Sequence, residues 1–467
     1  MFDRRSTTGT LATVVVGLPA VVAANLLPLV GVIAWGWNLG SLLVLYWLEG
    51  AATVLLAALK SLFAERGSTG MPSRVEPLHE LRAKRGGWRI REGWPPVYPR
   101  NVPIAASILG VWVVTVLPLS ALYWLSVDLS VPVSAGLALG VGALVFSHAA
   151  AFVVDYIRAA EYREVSAAEL AGTPALLAIV VLFVGVVSFD ADRSGALAVL
   201  VVVVLGKTAA SAYRFSTDHL RDDGGWLDGW LPDNERSAPP PELDGPEAPV
   251  SARVTVDARS VLAGSVGAIG YGFANRLGLG VVAAFVLSLF VGELWLSALA
   301  AVPIAIVVTA RVLSYYLRYG TIEYQRRGDA LVAYDTLLGE PQWVANVYGA
   351  DFAVKNMIVD RFLKSGTLTV SGVESVDRGT VRFGPVSDLD AAVETLDLPV
   401  QRTDRPDRDP AVVVAAAVLA ATFLVFPAAL FFSPQVDDGT AAGITLVFAP
   451  FLLLPVGVLV WAGLSRI

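Results

Sequence analysis

The chain contains no cysteine, which excludes both a disulfide framework and a thiolate metal site. Histidine is nearly as scarce: His79, His148 and His219 are too few and too scattered for a histidine-rich zinc motif. Charge is low as well, at 16% of residues, where average soluble proteins carry about 25%. No Walker loop, His-Glu-x-x-His, Gly-x-Ser-x-Gly or dinucleotide fingerprint stands in a plausible context, and no basic stripe suits nucleic acid. From these absences the sequence leads us to expect no cofactor, no metal, no nucleic-acid partner and no catalytic residue.

Apolar sequence is what abounds. Hydrophobic residues make up 55% of the chain, and charges cluster in the segments between long uncharged runs. This pattern predicts an all-α polytopic membrane protein of about ten transmembrane helices with one small β-rich soluble domain. The expected spans are Leu11–Ala34, Leu39–Leu62, Ile104–Leu125, Val133–Ile157, Leu170–Val187, Ala196–Ala212, Leu277–Val291, Leu294–Leu313, Ala411–Phe431 and Ile444–Trp461. Each is near the ~20 residues that cross the hydrocarbon layer, the seventh being the shortest. Val261–Phe273 is Gly-rich and moderately apolar, and either extends the seventh span or lies along the interface.

The distribution of Lys and Arg sets an orientation. Alternating spans place the N-terminus, Lys60–Arg100, the Arg158/Arg163 loop, Arg214–Arg276, Arg318–Arg408 and Arg466 on one side. Only Arg193 falls on the other, where every connection is short, so both termini are expected in the cytoplasm and the chain in the cell membrane. The apolar run from Leu11 past Val32 after Arg4-Arg5 is too long for a signal h-region and reads as a retained span. Trp35, Trp37, Trp47, Trp124, Tyr315 and Tyr316 sit where an aromatic belt would anchor helices at headgroup depth. The Lys60–Arg100 loop, basic and holding Trp88 and Trp94, is expected on the membrane surface, with anionic lipids as partners.

The polar residues divide the chain further. A six-span module (residues 1–220) is followed by an acidic, Pro-rich linker (221–258), a two-span segment (259–318), a cytoplasmic insert (319–409) and two final spans (410–467). Asp222–Pro249, with Pro239-Pro240-Pro241, reads as disordered. The polar surface is acidic and its basic residues are nearly all Arg, as expected of a protein bathed in very high salt and hence of a halophilic archaeon.

In the insert, Ala330-Leu-Val-Ala-Tyr-Asp, Gly366-Thr-Leu-Thr-Val and Val381-Arg-Phe-Gly are short β-type runs, and Asp388–Leu396 has helical spacing. Several strands closed by one helix describe a small barrel or sandwich with a cap. Gly320-Thr-Ile-Glu-Tyr-Gln, Pro341-Gln-Trp343 and Asp360-Arg-Phe-Leu-Lys-Ser-Gly366-Thr resemble the bacterial-type pleckstrin-homology (PH-like) domains found on membrane proteins. The resemblance covers roughly Tyr319–Pro399 and departs from the family pattern at Asn346–Val359. It implies a non-enzymatic domain for assembly, self-association or membrane-surface contact. The insert's net acidity argues against a phosphoinositide-type basic pocket.

Within the expected spans a few polar residues stand out, since each is costly in hydrocarbon. Glu49 falls near mid-depth of the second span, His148 and Lys207 in the cytoplasmic half of the fourth and sixth, and Asn25 interrupts the first. A Glu–Lys pair bridged by His would lower the desolvation cost of all three and relay a proton. The bland reading is a network that ties helices, with Lys207 snorkelling and His148 bonded to a nearby carbonyl. Gly31-Val-Ile-Ala-Trp-Gly-Trp37-Asn, Tyr46-Trp-Leu-Glu49, Phe146-Ser-His148 and Gly206-Lys207-Thr also resemble a haloarchaeal membrane family known only as a domain of unknown function, over roughly Ala12–Leu220. That family usually has Asn after the Glu, where this chain has Gly50. The leading expectation is a non-enzymatic assembly or scaffold protein. The alternative is a transporter or proton-coupled permeation protein built on Glu49, His148 and Lys207.

Overall fold

The computed structural model describes residues 26–68, 77–117, 134–172, 193–220, 245–273, 276–291, 294–355, 363–373, 379–400 and 409–464, with a few isolated positions between them. Asn25, most of the expected spans Leu11–Ala34 and Leu170–Val187, and most of the Asp222–Pro249 linker lie outside the described residues. The chain forms two compact units, one of Met1–Ala83 and Gly87–Pro241, the other of Lys84–Gly86 and Glu242–Ile467.

The first unit is helical. Its elements are α1 (Leu26–Trp35), α2 (Leu39–Phe63), α3 (Val102–Val111, continued by a wide π-helical turn over Trp112–Val116), α4 (Ala135–Arg158) and α5 (Arg193–Leu220). Asn38 starts α2 by accepting a bond from Ser41 N at 2.8 Å, and Ser134 does the same for α4 from Leu137 N. Trp37 folds back on α1 so closely that a Cβ at Gly31 would lie 2.4 Å from its ring.

Three contacts fix the helix directions in this unit. Val54 and Ala58, late in α2, share a core with Ile104, Ala105 and Ile108, early in α3. Trp47, earlier in α2, donates to Ser120 Oγ past the end of α3, so these two helices are antiparallel. Along α4, Gly140 meets Leu45 and Phe152 meets Phe63, so α4 runs parallel to α2. Leu39 and Leu43 pack with Ala196, Leu200 and Val204, and Glu49 reaches Lys207 one step further along both helices, so α5 is parallel to α2 as well.

The second unit joins helices to two antiparallel sheets. Its strands are β1 (Val250–Thr255), β2 (Ile322–Arg327), β3 (Ala330–Asp335), β4 (Glu340–Asn346), β5 (Asp351–Val354), β6 (Gly366–Ser371) and β7 (Thr380–Val386). They pair as β1-β2-β3-β4 and β5-β6-β7. Its helices are α6 (Ala258–Phe273), α7 (Arg276–Val291), α8 (Leu294–Tyr319), α9 (Leu389–Thr395), α10 (Pro410–Phe431) and α11 (Asp438–Leu464). One core, with Leu331, Leu368, Val370, Phe383 and Leu396 fully buried, lies among both sheets and α9. Each such side chain stabilises by about 1.5–3 kcal/mol.

One expectation for this region needs correction. Val250–Thr255 was expected in the acidic linker, but it alternates between half-buried and exposed residues and forms the edge strand beside β2. Within the basic Lys60–Arg100 loop, Lys84–Gly86 packs with the second unit. Gly264 lies against Tyr315, Gly272 against Arg311, and Ser288 bonds Ser297, so α6 and α7 follow one another antiparallel along α8.

The chain is mostly helical. Among the described residues, four helices are long and apolar enough to cross a membrane: α2, α4, α8 and α10. Four is fewer than the ten expected from sequence. Leu26–Trp35 and the Gly195–Ala209 part of α5 are apolar but shorter.

Candidate functional site

Two of the four polar residues singled out by depth meet directly. Lys207 Nζ donates to both carboxylate oxygens of Glu49, at 2.6 and 2.7 Å. Helical spacing explains the meeting. Leu39, Leu43 and Tyr46 on α2 and Ala196, Leu200 and Val204 on α5 form one apolar seam, and the ion pair is the next step along it. The Tyr46 ring lies 5.2 Å from Lys207 Nζ and adds a cation–π contact. The side chains of Lys207 and Glu49 remain 35% and 29% exposed, so the pair sits at the margin of the seam and not inside dry packing.

His148 does not join them. Its Nδ1 bonds the carbonyl of Leu144 one turn back on its own helix, at 3.0 Å, the interaction of the bland reading. Asn25 lies outside the described residues. A helix-to-helix ion pair therefore takes the place of the expected three-residue relay. It can fix the rotation of α2 against α5 and share the desolvation of two charges. Beside it, a Cβ at Gly50 would stand 3.3 Å from the Trp112 ring, so a side chain there would press on that ring.

A second lysine–carboxylate pair, which the sequence did not disclose, lies in the other unit. Lys84 bonds Asp335 with both side chains almost wholly buried. Asp335 also accepts from Thr321 Oγ1 at 2.9 Å and from the Leu337 and Leu338 amides at 3.0 Å. The next residue is held by a side-chain amide acting as a strand partner. Arg85 N donates to Gln342 Oε1, and Gln342 Nε2 donates to Arg85 O, both at 3.0 Å. Gly86 follows with φ at +82°, and a Cβ there would come within 3.2 Å of the Leu338 carbonyl. Burial holds the Lys84 ammonium below its ordinary value, with Asp335 opposing and Arg318 adding to the shift. The pairing joins positions 251 apart in sequence, so no local pattern announces it.

The Asp-Arg-x-Leu-x-x-Gly-Thr turn has partial structural content. Ser365 Oγ donates to Asp360 at 2.7 Å, and both residues are buried. Gly366 admits no side chain, because a Cβ would lie 2.4 Å from Leu389 Cβ on α9.

Comparison with known proteins adds one match. Residues 12–224 match the model of a family of unknown function, DUF6498. That segment holds Glu49, His148 and Lys207, and covers the same region as the resemblance read from their motifs. Neither a curated protein nor a solved structure matches the chain.

Proposed function

We propose that the chain is a multi-pass membrane protein of about ten spans with both ends in the cytoplasm. It acts as a non-enzymatic assembly or scaffold protein through its sheet-bearing insert. The observation that carries the choice against transport is the direct Glu49–Lys207 ion pair with His148 turned to its own helix, which makes a brace and leaves no relay through these three residues. The helix directions support the alternation of spans. An α2 antiparallel to α3 and parallel to α4 and α5 is what alternating spans two, three, four and six require. The acidic, lysine-poor polar segments fit a high-salt cytoplasm.

The insert suits assembly because it is joined stiffly to an apolar helix. α8 ends at Tyr319 and β2 begins at Ile322, leaving two residues for a hinge. Two antiparallel sheets closed by α9 support the PH-like reading. Excising residues 319–399 tests the role. Smaller complexes on native gels, with the helices still inserted, support it, and complexes of unchanged size overturn it. The exposure of the ion pair favours a second reading, proton-coupled permeation, under which E49Q leaves folding intact and abolishes a pH-dependent flux.

A further inference from the structure

The outer face of the second sheet gathers positive charge against the end of α8. Val354, Leu368 and Phe383 line up across β5, β6 and β7 and point into the core. Strand alternation then sends Lys355, Thr367 and Arg382 to the opposite face. Lys355 N bonds Thr367 O, which places their side chains beside one another, and Arg382 pairs with Thr369 one step along. Arg382 Nη1 donates to Tyr315 Oη at 2.6 Å, and its guanidinium lies 4.6 Å from the Tyr319 ring. Arg318, next to Tyr319, stacks on the same ring at 5.1 Å.

Two buried polar atoms on this face have no hydrogen-bond partner among the described residues: Arg382 Nε and Thr367 Oγ1. Thr367 is fully buried, so its idle hydroxyl is costly unless a ligand accepts from it. Three cations, Arg318, Lys355 and Arg382, stand here against Asp360, which bonds Ser365. Asp335, the other acid near Arg318, is held by Lys84. Partial burial lowers the Lys355 ammonium below its ordinary value, and the Arg382 and Arg318 cations act in the same direction. Anything that settles among these groups must be an anion rich in acceptors.

We propose that Arg318, Lys355, Thr367 and Arg382 form a binding site for a phosphate group. A guanidinium and an ammonium with a hydroxyl between them supply donors of the number and spread that phosphate oxygens accept. The site's place favours a phospholipid as the source. It lies against the last turn of an apolar 26-residue helix, and with that helix in a bilayer its Tyr315, Tyr316 and Tyr319 would stand at headgroup depth. The insert's net acidity hides this site, because its charges are sorted by strand face and not by segment. Phosphate recognition itself does not depend on the membrane reading; the choice of a lipid does.

The test uses the full chain in nanodiscs of phosphatidylcholine with or without phosphatidylglycerol, with retained phospholipid counted by native mass spectrometry. A parallel titration adds inorganic phosphate to the delipidated protein in detergent and follows its melting temperature. K355Q changes an exposed residue, and T367V removes only a hydroxyl without a partner, so both keep the fold. The expected result is retained phosphatidylglycerol in the wild type and about tenfold weaker retention in either variant, with unliganded melting unchanged. A phosphate response in the wild type that both variants lose, with no lipid retained, also supports the site and makes a soluble phosphate its source. Retention and phosphate response that are absent, or identical in all three proteins, overturn the proposal. Complex size on native gels is read separately, so failure here is distinguishable from failure of the assembly role.

Discussion

The two lysine–carboxylate pairs are built from the same chemistry and placed in opposite surroundings. Lys84 and Asp335 are almost sealed from solvent, and the carboxylate collects three further donors from Thr321, Leu337 and Leu338. Glu49 and Lys207 are each about a third exposed, and among the described residues the carboxylate answers to the ammonium alone, with Tyr46 beside it. A sealed pair is costly to break from one side, because the surviving charge has no water to fall back on. A marginal pair is more forgiving and mainly sets which faces of two helices meet. The first holds three loop residues inside a sheet-bearing unit, and the second sets the rotation of two parallel helices.

The largest effect is expected on the sealed side. D335A leaves the Lys84 ammonium buried without its partner and costs about 3–5 kcal/mol, read as lost thermal stability of the second unit. K84M is milder, since Asp335 keeps its other three donors. Equal losses for the two variants would show that Thr321, Leu337 and Leu338 do not sustain Asp335 once Lys84 is gone.

On the marginal side, E49A strands Lys207 within the α2–α5 seam. The expected cost is about 3 kcal/mol, that of a charge left alone near a helix centre in the bilayer. A smaller change probes the space beside it. G50N drives a side chain toward Trp112 and costs about 1 kcal/mol, measurable in the same melts. A stability gain at that position would mean that Trp112 does not limit it.

The smallest effect concerns a cap in the second unit. Asp257 accepts from the Ser260 hydroxyl and from the Ser260 and Arg259 amides at the start of α6. These bonds, the hydroxyl first, hold its carboxyl below the usual range. A carboxyl lowered in the folded state contributes stability above its unfolded value and loses it as pH falls through the folded value. D257A is expected to cost about 1 kcal/mol at neutral pH. The gap between wild type and D257A narrows on acidification, and a gap independent of pH would remove the carboxylate from the cap.

How much of this was legible in sequence differs between the same two regions. The apolar run that follows Asn38, broken by Glu49, marks α2 to within a residue, and the β-type run at Ala330 becomes β3 with the same ends. Glu49 and Lys207 stood out because a charge in an apolar run has few bland explanations. His148 was grouped with them by depth alone, and depth says nothing about which face of α4 it occupies. Val250–Thr255 does alternate, but the proline-rich acidic stretch before it masked a strand that needs β2, about seventy residues later, to exist. Lys84 gave no signal, because its value depends wholly on a partner in the other half of the sequence.

The most direct test of the brace is a double-mutant cycle of E49A, K207A and the double variant, melted in nanodiscs. The account predicts that the double variant recovers much of the loss in either single variant, with a coupling of about 1–2 kcal/mol between the two positions. Losses that simply add, with no coupling, would show that Glu49 and Lys207 do not hold α2 to α5.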